Sequence, residues 1–98
     1  MHLTVPEALA LLQRWRSDQV ELEVTGSNAN EKTTGLAKIE AVMGASVVLA
    51  TSAGLLTIDL TGADFNGGQS MPAESRHAAY LVCEFKNDDR WAFYALRP

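Results

Sequence analysis

Three apolar runs lie between Thr33 and Leu60, separated by two short turn signals, Gly44-Ala45 and Ser52-Ala53-Gly54. Apolar runs of this length with small turns between them predict three consecutive antiparallel strands. Alternation along the first run puts every second residue on one face: Ala37, Ile39, Ala41 and Met43. The middle run, residues 46–50, is apolar on both faces. We therefore expect it to be covered on both sides, by a helix, a second sheet or another subunit.

An amphipathic helix is predicted near the start of the chain. Thr4 and Glu7 have the spacing of a capping box, and Pro6 falls in the first turn, where its missing N–H costs nothing. The apolar residues then recur at helical spacing: Ala8, Leu9, Leu11, Leu12 and Trp15. The pattern ends near Ser17-Asp18, so the helix is too short to be stable alone and must dock on the sheet.

Two further strand regions flank this meander. Val20, Leu22 and Val24 alternate with polar residues, and a polar hairpin loop follows over 26–32. Residues 78–86 and 90–97 predict a closing hairpin around a three-residue loop. That loop length would place Phe85 opposite Trp91 and Cys83 opposite Phe93, with four residues on the other side: Tyr80, Val82, Tyr94 and Leu96.

The segment from Thr61 to His77 interrupts the apolar pattern with glycines and small polar residues. A connection of this length is uncommon in a small domain and is either functional or a variable surface loop. If it contacts a ligand, four of its residues have suitable side chains: Phe65, Asn66, Arg76 and His77.

The predicted elements define one domain over residues 1–98. The fold class is mainly β: an N-terminal α-helix followed by a strongly bent antiparallel sheet, or by a small barrel of five or six strands. Whether the sheet closes is left open by the pattern.

Charge and composition exclude several classes of function. The net charge is -4 and no window clusters Lys and Arg, so the chain as a whole repels nucleic acid. The single cysteine, Cys83, excludes an internal disulfide. No stretch approaches the ~20 apolar residues of a membrane span, and no basic-then-apolar leader opens the chain. We expect a soluble cytoplasmic protein without membrane contact.

Candidate catalytic and metal-binding groups are sparse. Neither His2 nor His77 has Cys, Asp or Glu at metal-ligand spacing, which predicts no metal site and no cofactor. Ser75, His77 and Asp64 contain the residue types of a catalytic triad, but nothing local predicts a strained nucleophile or an oriented base. The expectation is a protein that is not an enzyme.

The order of elements resembles the SH3-like small barrels, and among them the Sm-like family. The first Sm motif has an acidic residue followed by Met-Asn; Glu40 and Met43 match, while Gly44 replaces the Asn. The second has Arg-Gly or Lys-Gly in the last hairpin turn, where this chain has Lys86-Asn87-Asp88-Asp89-Arg90. The resemblance implies rings built by pairing edge strands and RNA bound through both motifs, and the RNA-binding residues are mostly missing.

Three functional hypotheses follow. The first is a non-enzymatic small-barrel assembly or binding module that forms a homo-oligomer, or takes a protein partner, through sheet edges and spare apolar faces. The alternative is an Sm-like RNA-binding protein that forms an oligomeric ring. The third is a small-molecule enzyme with its site under the 61–77 connection.

Overall fold

The computed structural model describes residues 1–27, 32–68, 72 and 74–97. Parts of the predicted 26–32 loop and of the 61–77 connection therefore lie outside the described residues. One helix and eight strands are present in the part of the chain described: β1 His2–Leu3, α1 Val5–Ser17, β2 Leu22–Ser27, β3 Lys32–Met43, β4 Ser46–Thr51, β5 Gly54–Asp59, β6 Asp64–Gly68, β7 His77–Glu84 and β8 Arg90–Leu96.

The strands form one antiparallel sheet in the order β1-β6-β7-β8-β2-β3-β4-β5. The mainly β class with one N-terminal helix is confirmed, as is the three-strand meander β3-β4-β5. The sheet has eight strands where five or six are predicted, because the two-residue β1 is too short to show a pattern and β6 lies inside the 61–77 connection. Its edges, β1 and β5, do not pair with each other in the described residues, so the sheet is open.

The helix forms as its sequence predicts. The Thr4 hydroxyl accepts from the Glu7 backbone N–H at 3.3 Å, and the Glu7 carboxylate accepts from the Thr4 N–H at 2.9 Å, completing the capping box. Asp18 is the C-cap. The helix packs across β3 and β6, and it buries one stripe of side chains: Ala8, Leu11, Leu12 and Trp15.

The core lies between α1 and the sheet face that the helix covers, called here the inner face. Alternation brings the large side chains of the central strands to this face. The most deeply buried are Leu12, Leu22, Val47, Leu49, Leu60, Phe65, Leu81, Cys83 and Phe93. The opposite, outer face has no helix over it in the described residues.

A bulge in β3 changes the predicted alternation. The register with β4 shifts between Ile39 and Ala41, so that Val42 pairs with Val47. Met43, predicted to share a face with Ala37 and Ile39, is instead 65% exposed. That prediction was wrong because one extra residue in a strand inverts the faces of all the residues after it.

The last hairpin also differs in register from the prediction. Its loop spans residues 85–89 rather than three residues, and is closed by the Phe85 N–H donating to the Asp89 carbonyl at 2.9 Å. Cys83 consequently pairs with Trp91, and Leu81 with Phe93. A loop longer by two residues slides one strand along its partner by two positions, which preserves which residues share a face.

Candidate functional site

Arg76 and His77, two of the residues predicted for ligand contact, meet on the outer face at Glu23. His77 opens β7, and Glu23 lies two strands away on β2, with Tyr94 of β8 between them. Arg76 Nη2 lies 3.0 Å from both carboxylate oxygens of Glu23. The His77 ring packs against Tyr94, with 5.0 Å between ring centroids. The sheet register thus assembles a cluster that no local motif announces.

His77 Nε2 lies 3.3 Å from Glu23 Oε1, which is close enough for an ion pair if the imidazole is protonated. The same nitrogen is buried and makes no hydrogen bond of acceptable geometry within the described structure. The distance between His77 Nε2 and Glu23 Oε1 would allow a hydrogen bond, but the alignment of the two groups does not. A hydrogen bond weakens steeply when it is poorly aligned. The contact is one of proximity, and the Glu23 carboxylate is oriented chiefly by Arg76.

The described part of the segment before β7 is fixed to the end of β8. The Arg97 backbone N–H donates to the Arg76 carbonyl at 2.9 Å, and its guanidinium donates to the carbonyls of Ser75 and Pro72 at 2.8 and 3.1 Å. The Ser75 hydroxyl accepts from the His77 N–H at 3.1 Å. These bonds, together with Glu23, make the cluster a clamp that holds this segment against the sheet.

The other two predicted ligand contacts lie elsewhere. Phe65 is 2% exposed on the inner face of β6, so its ring is part of the core. Asn66 is half-buried on β6 and pairs with Val82, five residues along β7 from His77, roughly 16 Å at the rise of a strand. The structure therefore brings together only Arg76 and His77 of the four. Glu23 and Tyr94, which complete their cluster, were missed because their proximity depends on strand order.

The groups considered for a catalytic triad do not converge. Asp64 pairs with Glu84 at the far end of β7 from His77, seven residues or roughly 23 Å away. The Ser75 hydroxyl contacts the His77 backbone rather than its ring. Within the described residues, no three His, Cys, Asp or Glu side chains are grouped so as to hold a metal ion.

Among the described residues, three ionisable groups have shifted pKa values, each with a structural cause. Hydrogen bonds from the Thr4 backbone and hydroxyl lower the pKa of Glu7, and hydrogen bonds from the Thr61 hydroxyl and backbone lower the pKa of Asp59. Burial raises the pKa of the Cys83 thiol to about 12. These groups are a helix cap, a turn and a core thiol, and none lies in the Glu23 cluster.

Exposed leucines lie on the edge strand β5 and on β3. Leu55 is 70% exposed and Leu56 is 40% exposed, and Leu36 on β3 is 54% exposed. In β5 only Ile58 is buried. A cleft of about 390 Å³ opens beside this strand, with Trp91 among its lining residues.

Comparison of the chain with protein-family models, with curated proteins and with solved structures finds no match.

With no match to a known protein, two surface features can indicate a function: the Glu23 cluster and the β5 edge. In the Glu23 cluster the carboxylate is paired with Arg76 and the His77 ring packs against Tyr94, while His77 Nε2 is buried without a hydrogen-bond partner in the described structure. The β5 edge is unsatisfied, because its outward backbone groups have no strand partner in the described structure and its leucines face solvent. Within the part of the chain that the structure describes, no helix is long and apolar enough to cross a membrane.

Proposed function

We propose that the protein is a non-enzymatic assembly module that self-associates by pairing β5 with β5 of a second copy. The observation that carries this proposal is the unprotected edge. Natural edge strands are blunted by lysines, prolines, bulges or covering segments, and β5 reads GLLTID with none of the first three. It pairs in unbroken register with β4 on one side and with nothing described on the other.

The charge on β5 favours an antiparallel pair of identical strands. Asp59, at the end of the strand, is its one charged residue. In an antiparallel pair the two copies of Asp59 lie at opposite ends of the ladder, whereas a parallel pair would set them side by side and repel. A two-fold dimer gives this antiparallel arrangement with the same patch on each subunit.

The second edge argues against a ring. A ring of the Sm-like kind needs the β5 edge of one subunit to pair with a different, complementary edge of the next. The opposite edge here is β1, which has only two residues, and the Gly67 N–H of the neighbouring β6 is already bonded to the Met1 carbonyl at 2.8 Å. A ladder there would be short, so we favour the dimer over the ring.

Light scattering or sedimentation equilibrium of the intact chain, at concentrations from about 1 to about 100 μM, tests this assembly. We expect a monomer–dimer equilibrium that Leu55→Lys shifts strongly toward monomer, because a lysine on an edge strand opposes pairing. Leu55 is 70% exposed, so the substitution leaves the core intact. Gln13→Lys, on the exposed face of α1, makes the same charge change away from the edge and is expected to keep the dimer.

Salt provides a second measurement. Each subunit has a net charge of -4, so two copies repel each other and screening favours their association. Dimerisation is therefore expected to strengthen between low and physiological salt. A chain that stays monomeric throughout, or a Leu55→Lys variant that assembles like the intact chain, would overturn the proposal.

A further inference from the structure

We infer that the cleft beside β5 is a binding site for a neutral, mainly apolar small molecule with an aromatic or similarly flat part. The cleft lies on the inner face, at the end of the meander away from the helix. Its lining includes buried Val24, Ala37 and Leu49, and half-buried Trp91. This inference is independent of edge pairing, since a monomer has the cleft as well.

Two glycines create the space. A Cβ on Gly26 would come within 2.6 Å of Trp91 Cζ3, so the indole ring can lie over β2 only because residue 26 has no side chain. Gly35, the neighbour of Val24 on β3, has no atom within 4 Å of the position of a Cβ. The absence of a side chain at Gly35 therefore leaves open the volume beside the indole.

The volume suits a small ligand. About 390 Å³ falls within the range of roughly 300–1,000 Å³ that is usual for small-molecule sites. Such sites are mostly apolar, with a few polar groups that fix orientation. Leu56, which pairs with Leu49 and shares the inner face with it, would provide an apolar wall, and the indole would provide a flat surface.

The lining also fixes the charge of the ligand. None of the lining residues that the structure describes carries a charge. The hydroxyl of Thr51 is engaged within its own turn, donating to the Gly54 carbonyl at 2.8 Å and accepting from the Ala53 N–H at 3.1 Å. A charged ligand would lose its hydration without gaining a partner, which is costly, whereas a neutral one has no such penalty.

The test uses N-phenyl-1-naphthylamine, a neutral fluorescent probe, titrated with the intact chain. We expect saturable binding, and a two-dimensional ¹H–¹⁵N spectrum supplies its location. The chain has two tryptophans, whose indole N–H groups give separate signals. The chemical shift of the Trp91 indole N–H is expected to change as probe is added. That of Trp15, a residue of α1 that is 5% exposed, is expected to stay the same.

Two substitutions of increasing size at Gly35 are expected to fill the cleft. Gly35→Val and Gly35→Leu add side chains into open space at a position whose backbone any residue can adopt. Probe affinity is expected to fall at least tenfold in Gly35→Leu, and by less in Gly35→Val, with the remaining spectrum showing a folded chain. Gln13→Leu adds the same side chain to an exposed helix position and is expected to bind like the intact chain.

The outcomes separate this site from the assembly interface. A monomeric chain that binds the probe refutes edge pairing and keeps the site. Probe binding that is lost as the chain dimerises would assign the cleft to the second copy and overturn the ligand proposal. So would a chain that does not bind the probe, or Gly35 variants that bind it unchanged with the Trp91 signal unmoved.

Discussion

Trp91 and Gly26 are in direct contact across the β2–β8 pair, and the indole occupies the space that a side chain at residue 26 would need. A Cβ there would lie 2.6 to 2.9 Å from three atoms of the six-membered ring. The two residues are paired in register, so the contact is built into the sheet. This contact both fixes the indole and sets one side of the inner-face cleft.

Gly26→Ala is expected to destabilise the fold by about 1–3 kcal/mol, the usual range for overpacking. The ring would have to move, and it is held on a central strand of the sheet. Urea denaturation measures the change. Gly35→Ala is the matched control: its methyl group meets nothing within 4 Å, so its free energy of unfolding should equal or exceed that of the intact chain. Equal free energies of unfolding for both variants would show that the indole can move aside at little cost.

Leu12→Ala should cost about 2–4 kcal/mol, the range for truncating a buried leucine. Leu12 is 0% exposed at the centre of the interface between α1 and the sheet. The measurement is again the free energy of unfolding in urea. Gln13→Ala, one residue further along and exposed, is expected to change it little. A small loss for Leu12→Ala would mean that the helix contributes little to the core.

The helix and the meander could be predicted from sequence because their signals are local. A capping box, a helical apolar stripe and glycine turns each act within a few residues of chain, and the structure places all three where the sequence does. The bulge at Glu40 had no such signal. The helix contacts the bulge, where Arg16 Nε donates to the Glu40 carbonyl at 3.0 Å.

The candidate surfaces were predicted less well for a related reason. The position of Glu23 beside His77 follows from strand order β7-β8-β2, which local pattern cannot give. The β6 strand was hidden because its sequence, DFNGG, has one large apolar residue, Phe65, and so shows no apolar alternation. From the sequence, self-association was predicted because some strands are apolar on both faces. In the structure, the reason for proposing it is the unpaired edge of β5.

Acid is expected to destabilise the fold in part through Glu7 and Asp59. Both have pKa values below their ordinary values of 4.5 and 3.8, because each carboxylate accepts hydrogen bonds that exist only in the folded chain. A lowered folded-state pKa gives stability that is complete above the unfolded pKa and lost as pH falls through the folded one. Stability should therefore decline below about pH 4.5, where these groups begin to protonate in the unfolded chain.

Urea denaturation at a series of pH values follows this decline. Glu7→Gln keeps an acceptor at the helix N-terminus but cannot titrate, so its stability should fall less steeply in this pH range than that of the intact chain. Asp59→Asn tests the turn in the same way. Identical pH profiles for the intact chain and both variants would mean that other carboxylates carry the acid response.

Cys83 is expected to be inert toward thiol reagents while the chain is folded. It is 0% exposed, and burial raises its pKa from an ordinary value of 9.0 to about 12. That rise lowers the thiolate fraction at pH 8 by about a thousandfold, and the thiolate is the nucleophile. Labelling with a chromogenic disulfide reagent should be slow in buffer and fast in denaturing urea. Rapid labelling in buffer would mean that β7 opens locally.

RNA binding is the remaining alternative, and the engagement of three arginines argues against its being tight. Single-stranded RNA is held by several Lys or Arg contacts to phosphate. Arg76 is paired with Glu23, Arg97 is bonded to backbone carbonyls, and Arg16 is bonded to the β3 bulge. Recruiting them would cost the contacts that fix the helix and the segment before β7.

The hairpin turn that would carry a basic residue beside a glycine in an Sm-like protein carries Asp88 and Asp89 here. The Asp89 backbone N–H is bonded to the Asn87 side chain at 3.2 Å, and Asp88 adopts a positive φ of 68°, so the turn is built around these residues. Two carboxylates at this position repel phosphate. We expect short U-rich and A-rich RNA to bind weakly at low salt and not measurably at physiological salt. Sub-micromolar binding that survives physiological salt would contradict the dimer of β5 edges and would favour a ring that gathers the exposed Arg90 side chains of several subunits into one basic rim.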